Sequence, residues 1–150
     1  MTLVPPSPQA AELTRQVTRG VCRALVALDH TVLTEFTLPD GRRADVIGLG
    51  SAGELVIIEV KVSVADLLGD DKWPDYLAWC DRLYFAAPPD FPHDRLPANC
   101  GVLVADAWGA EELRPAPDLP IHASRRRALL LRFARHAARR LHHFVDPRPA

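Results

Sequence analysis

The stretch "ELVIIEVKV", residues 54–62, constrains the fold more than any other. In a strand, side chains alternate between faces, so Val56, Ile58, Val60 and Val62 share one side and Ile57, Glu59 and Lys61 the other. A strand this apolar on both faces is expected at the centre of a sheet covered by helices. Strand interiors disfavour Glu and Lys, and burying an unpaired charge costs roughly several kcal/mol. Glu59 and Lys61 are explained if they line a cleft. The plain alternative is an exposed patch tied by a cross-strand ion pair, and the apolar flanks weigh against it.

Around this strand the pattern predicts an α-β-β-β-α-β-β-α order. Ser7-Pro8 marks a helix start, and Leu13, Val17, Ala24 and Leu28 repeat with helical spacing over about 9–28, with Arg15, Arg19 and Arg23 on the outer stripe. Residues 31–38 and 42–49 alternate like strands, joined by Pro39-Asp40-Gly41, and Gly50-Ser51-Ala52-Gly53 leads into 54–62. Then come a loop and helix over "SVADLLGDDKWPDYLAWCD", strands at 82–88 and 100–107, and an edge strand or loop at 112–120. Residues 124–144 form a long helix with an apolar stripe of Leu130, Phe133, Ala137, Leu141 and Phe144; Arg125, Arg132, Arg135 and Arg139 lie opposite. The chain reads as one α/β domain over 1–150, a mixed sheet flanked by helices, with residues 1–7 expected to be mobile.

Register decides whether the acids can cooperate. A three-residue turn at Pro39-Asp40-Gly41 pairs Leu38 with Arg42 and sets Glu35 opposite Asp45. One face then carries Glu35, Thr37, Arg43 and Asp45, the other Val32, Phe36, Leu38, Ala44 and Val46. A two-residue turn would mix polar and apolar residues on both faces, which favours the first register. Cross-strand neighbours lie about 5 Å apart, so Asp45 and Glu59 can share one cation if their strands pair near the centre. Two hard carboxylates suit Mg²⁺ or Mn²⁺, with the carbonyl of Val60 as a further oxygen and Lys61 beside them to act on water or phosphate.

Charge is unevenly spread. Residues 1–121 carry 10 Lys+Arg against 18 Asp+Glu, a balance of −8; residues 122–150 carry 8 against 1, a balance of +7. This suggests a basic face for a polyanion beside an acidic site. The odd count of three cysteines, Cys22, Cys80 and Cys100, without CxxC spacing argues against a disulfide framework or zinc cage and suggests a reducing cytoplasm. No signal peptide or membrane span is expected.

Asp45, thirteen intervening residues and then Glu59-Val60-Lys61 resemble the D…(D/E)-x-K motif of the PD-(D/E)XK nuclease superfamily, although Ala44 stands where its proline is usual. A narrower likeness spans nearly the whole chain. "GRRADV", "EVKVS", "DDKWPDY", "CDRLYFA", "GVLVAD" and the Arg-rich closing helix resemble the MmcB-type DNA repair proteins of bacteria. The resemblance implies a restriction-endonuclease-like α-β-β-β-α-β core with an extra basic C-terminal helix. It also implies a Mg²⁺-dependent endonuclease fold acting in DNA damage tolerance, with Asp45 and Glu59 as metal ligands and Lys61 assisting the water. DNA is the implied partner, with other DNA repair or error-prone polymerase proteins as candidate protein partners and no small-molecule cofactor. Family membership does not prove turnover, so a catalytically silent DNA-binding accessory is the alternative.

Several residues keep two readings. The extra acid is Glu35, or Glu12 on the first helix, which equally suits a surface pairing with Arg15 or Gln16. Asp71, Lys72, Trp73 and Tyr76 form a substrate-facing cluster, or the two aromatics pack while Lys72 meets phosphate. Arg43, Lys72, Arg125, Arg132, Arg135 and Arg139 are candidate DNA contacts, against a solvated helix surface as the plain reading. Asp66, Asp70, Asp75 and Asp81 read as loop caps or solvated charges. His122, His136, His142 and His143 read as surface residues, and the cysteines as small buried hydrophobes.

Overall fold

A computed structural model describes residues 4–149; the first three residues of the segment expected to be mobile lie outside the described residues. Helix α1 (Pro8–Ala27) starts where expected: Ser7 caps it, its hydroxyl accepting from the Ala10 N–H at 3.1 Å. Six strands follow in one sheet whose spatial order equals the chain order: β1 (Thr31–Thr37), β2 (Arg43–Leu49), β3 (Leu55–Val60), β4 (Arg82–Ala87), β5 (Gly101–Ala105) and β6 (Ala110–Arg114). The pairs β1–β2, β2–β3 and β5–β6 are antiparallel; β3–β4 and β4–β5 are parallel.

Both faces of the sheet are covered. Val17, Val21 and Leu25 of α1 pack on Val46, Val56, Ile58, Val60 and Tyr84. On the other face Leu129 and Phe133 of the last helix (Ala123–Val145) pack on Phe36, Ile47, Ile57, Leu83 and Phe85, together with both parallel crossovers. Sequential right-handed crossovers that step the same way across a sheet must share a face, which leaves the opposite one to α1.

Three expectations are corrected. The helix expected after β3 is a short α2 (Val64–Leu68), capped by Ser63, and a 3₁₀ helix (Trp73–Trp79) with Pro74 in its first turn. The last strand starts at Ala110 rather than 112, because Asp106 closes a tight turn directly after β5. In the last helix, α3 (Ala123–Val145), the buried stripe centres on Leu129 and Phe133, whereas Leu141 and Phe144 are exposed because the final turns run past the core.

The hairpin register is the expected one: Leu38 donates its N–H to the Arg42 carbonyl, and Thr37 pairs with Arg43 and Phe36 with Ala44. The expected face assignment is not. Val32 and Val46 point to the α1 side, whereas Phe36, Leu38 and Ala44 point to the α3 side. The cause is local. Glu35 adopts a left-handed backbone (φ 49°), which is uncommon for a residue other than glycine and interrupts the alternation on both strands at Glu35 and Asp45.

Asp81, whose sequence context suggests a loop cap or solvated charge, is only 5% exposed. Its carboxylate accepts from the Leu55 and Ile121 N–H groups at 2.8 and 3.0 Å and takes a bidentate Arg126 at 2.6 and 2.7 Å. This one side chain ties β3, β4, the loop before α3 and α3 itself. Cys80 and Cys100 are buried and Cys22 half-buried, all as free thiols. Among the described residues no helix is long and apolar enough to cross a membrane.

Candidate acidic site at the fork of β2 and β3

The irregularity at Glu35 and Asp45 opens a fork. Backbone pairing between β2 and β3 runs from Leu49↔Leu55 to Val46↔Ile58, and the next residues in register are Asp45 and Glu59. There side chains replace the ladder. Asp45 Oδ2 accepts from the Val60 N–H at 2.8 Å, and Glu59 Oε1 accepts from the Asp45 N–H at 3.1 Å. The two acids are thus held face to face, each with one oxygen on a backbone N–H, and a side-chain hydrogen bond links the two carboxyls.

Glu59 is 5% exposed and Asp45 half-buried. Burial is the main reason that both carboxyls titrate above their ordinary values, and for Glu59 the Asp45 charge adds to it, lifting it to about 9. The Val60 N–H favours the charged form of Asp45, while burial and the Asp45 charge favour the neutral form of Glu59. Lys61 is 6% exposed, and its positive charge favours ionisation of both acids. Its Nζ is fixed by Asp70 Oδ2 at 2.8 Å, from the loop after α2.

The 3₁₀ helix roofs the pair. Tyr76 is half-buried and donates its hydroxyl to the Arg43 carbonyl at 2.9 Å; burial first, then the neighbouring acids Glu59, Asp45 and Asp70, push its phenol up. Trp73 packs edge-on against Phe85 at 5.7 Å, which is the packing reading. Asp71 and Lys72 are exposed, with the Lys72 N–H on Asp70 Oδ1. Glu35 lies opposite Asp45 in register, but its side chain is exposed and makes no hydrogen bond to the pair; its carbonyl accepts from Arg140. Glu12 is exposed and paired with Arg15 at 2.6 Å and Gln16 at 3.4 Å. Among the described residues no group of three or more His, Cys, Asp or Glu side chains gathers as a metal cluster.

The arginines of α3 do not share one free face. Arg125 stacks on Trp79 at 4.9 Å and donates to the Ala78 carbonyl, and Arg132 donates to the Thr37 carbonyl. Arg135, Arg139 and, on β2, Arg43 are exposed and make no side-chain hydrogen bond or salt bridge among the described residues. Sequence reasoning missed Asp70, whose acidic loop context gave no hint that the chain would fold back onto Lys61. A cleft of about 760 Å³ lies away from the acids, between α1 and the start of β3 and β4, lined by Leu25, Val56, Tyr84 and Glu112 among others.

A mixed six-stranded sheet with helices on both faces, opened at paired acids, defines an α/β protein with a restriction-endonuclease-like core. Comparison with known proteins is more specific. The family model described as DNA repair protein MmcB-like matches residues 5–148, and the chain belongs to that family; its role lies in DNA repair. A similar solved structure is the SPO1766 protein of unknown function from Silicibacter pomeroyi, with 43% identity and a TM-score of 0.87, covering 96% of this chain and 95% of that one. No curated protein matches the sequence.

Proposed function

We propose that the protein is a DNA-processing nuclease that hydrolyses phosphodiester bonds in damaged or branched DNA with Mg²⁺ or Mn²⁺. One observation carries the reading: two opposed carboxylates at a strand fork, beside a buried ammonium, in a chain of a DNA repair family. The donor set fits a hard dication. Each acid has one oxygen outside the backbone hydrogen bonds, and burial opposes ionisation of both, which a bound cation would offset. Asp45 and Glu59 would hold the ion, with the Val60 carbonyl as a third oxygen, and the ion would polarise phosphate and water. Glu59 would hold such an ion as its carboxylate, so ion binding and loss of its proton would be linked. Lys61, oriented by Asp70, stabilises charge developing on the phosphate. Arg43, Lys72, Arg135 and Arg139 bind backbone phosphates, while Arg125 and Arg132 serve them with the donors left over from their packing.

Incubating the protein with flapped, gapped, single-stranded and duplex DNA plus Mg²⁺ or Mn²⁺ tests this. Cleavage that Asp45→Asn abolishes without loss of fold is the expected result. A second reading, a catalytically silent DNA-binding accessory, is favoured by Glu35, whose exposed side chain makes no hydrogen bond to the pair among the described residues. Retained DNA binding with no cleavage of any substrate would establish it.

A further inference from the structure

The turn between β5 and β6 presents a tryptophan to which the acidic site gives no role. Trp108 is 69% exposed, yet the turn that carries it is firmly built. The Asp106 side chain accepts from the N–H groups of Trp108 and Gly109 at 2.8 and 3.2 Å, and the Asp106 N–H donates to the Gly109 carbonyl. Helix α1 lies directly against it. A methyl group at Gly20 would stand 1.8 Å from the Asp106 carbonyl oxygen and 2.6 Å from that of Gly109, so only glycine permits the approach. That close packing sets Arg19 and Arg23, one helical turn apart, over the indole with guanidinium carbons 4.8 and 5.4 Å from the ring centroid. Both arginines are exposed, and neither has a hydrogen bond or salt bridge among the described residues.

Position adds a second argument. β3, β4 and β5 run parallel, so the turn after β5 lies at the same end of the sheet as Glu59 and Lys61. Two strand spacings, roughly 10 Å, separate β3 from β5 laterally. Glu59 is level with Val102, so the turn at Asp106 stands several residues further along the strand direction and packs on α1, the sheet face opposite Glu59; a single strand of several nucleotides passing around that end would reach both. The side chains recorded at Trp108 are charged, Arg19 and Arg23 over the ring and Asp106 within the turn, and two free guanidiniums beside an indole suit a stacked base with flanking phosphates better than an apolar protein partner. We infer that Trp108, Arg19 and Arg23 form a docking point for single-stranded nucleic acid, a base stacking on the indole and adjacent phosphates meeting the two guanidiniums. The inference rests on the proposed reading of the protein as acting on DNA, but not on cleavage.

The test measures fluorescence anisotropy of a labelled twelve-nucleotide oligothymidylate in EDTA, on an Asp45→Asn background. Trp108→Ala should weaken binding by about tenfold, within the range for loss of one base stack, and Trp108→Phe should recover most of it. Arg19→Ala with Arg23→Ala should lower the salt slope by about 0.7 for each phosphate no longer neutralised. Blunt duplex of the same length should bind all variants alike. Wild-type affinity of Trp108→Ala for the oligonucleotide, with its circular dichroism unchanged, overturns the inference. So does an equal loss on duplex, or arginine-dependent binding of polyglutamate that matches the oligonucleotide. Trp108-dependent binding by a protein that cleaves nothing leaves this site standing and overturns only the nuclease reading.

Discussion

Replacing Glu59 by glutamine should stabilise the protein above neutral pH. The new side chain keeps an amide oxygen for the Asp45 N–H, fills the same space and carries no charge to bury. In the wild type, the folded-state carboxyl titrates near 9 against an ordinary value of 4.5. The unfolded chain therefore releases this proton first, and folding holds on to it. The stabilising effect is greatest below 4.5 and falls as pH rises towards 9, by about 1.4 kcal/mol per pH unit. Between pH 5 and 8 that amounts to about 4 kcal/mol, a large fraction of the roughly 5–15 kcal/mol typical of a domain. Urea unfolding of both proteins, followed by tryptophan fluorescence from pH 5 to 8, reads the effect as a difference in which groups remote from the pair cancel and the accompanying change at Asp45 is included. Mn²⁺ at about a hundred times its dissociation constant should add about 2.7 kcal/mol to the wild type at pH 8, and much less to Glu59→Gln. Parallel pH profiles for the two proteins would refute the reasoning, because Glu59 would then be ionised in the folded state.

Asp81→Ala leaves Arg126 and two backbone N–H groups without their acceptor and should cost about 3–5 kcal/mol, measured by urea unfolding. Burial alone would raise the Asp81 carboxyl, but the Arg126 pair and the two N–H groups outweigh it and hold the group below its ordinary 3.8; its contribution therefore persists above that pH and disappears as pH falls below it. Gly20→Ala, ordinarily favourable in a helix interior, should instead lower stability by about 1–3 kcal/mol, read as a melting shift, because the methyl meets backbone oxygens. Arg135→Ala with Arg139→Ala should leave stability unchanged and flatten the salt dependence of duplex binding by about 0.9 log units for each phosphate released, whereas Arg132→Ala should cost stability as well.

Much of the site was legible because it sits in one strand. Period two alone sets Glu59 and Lys61 on one face of β3, and the turn at Pro39-Asp40-Gly41 fixes which residues of β1 and β2 pair. What failed was the assumption that alternation continues. A left-handed glutamate has no signature in composition or spacing, so the switch of faces at Glu35 could be seen only in space. Asp70 and Asp81 look alike on paper, as acids in polar loops; long-range packing made one the anchor of Lys61 and the other a buried knot. Spacing also suggests a continuous apolar stripe along α3. A helix pattern carries no information on where the partner surface ends, and the core ends before Leu141.

A regular ladder through Asp45 and Glu59 would pair backbone with backbone and leave both carboxylates to find solvent. The left-handed residue on β1 instead frees two N–H groups on β2 and β3, and those groups orient the acids towards each other. Holding like charges together in a buried place is unfavourable, and both carboxyls are pushed above their ordinary values by burial, Glu59 also by the Asp45 charge. Such an arrangement persists only where the surrounding structure overdetermines it. Here β3 is locked at its far end by Asp81 and Arg126, paired to β4 along its length, and followed by a lysine fixed to Asp70. The strain is therefore confined to one end of the sheet. A bound cation would relieve it there, and the exposed residues Arg43, Lys72 and Trp108 lie around that end or its adjoining loops.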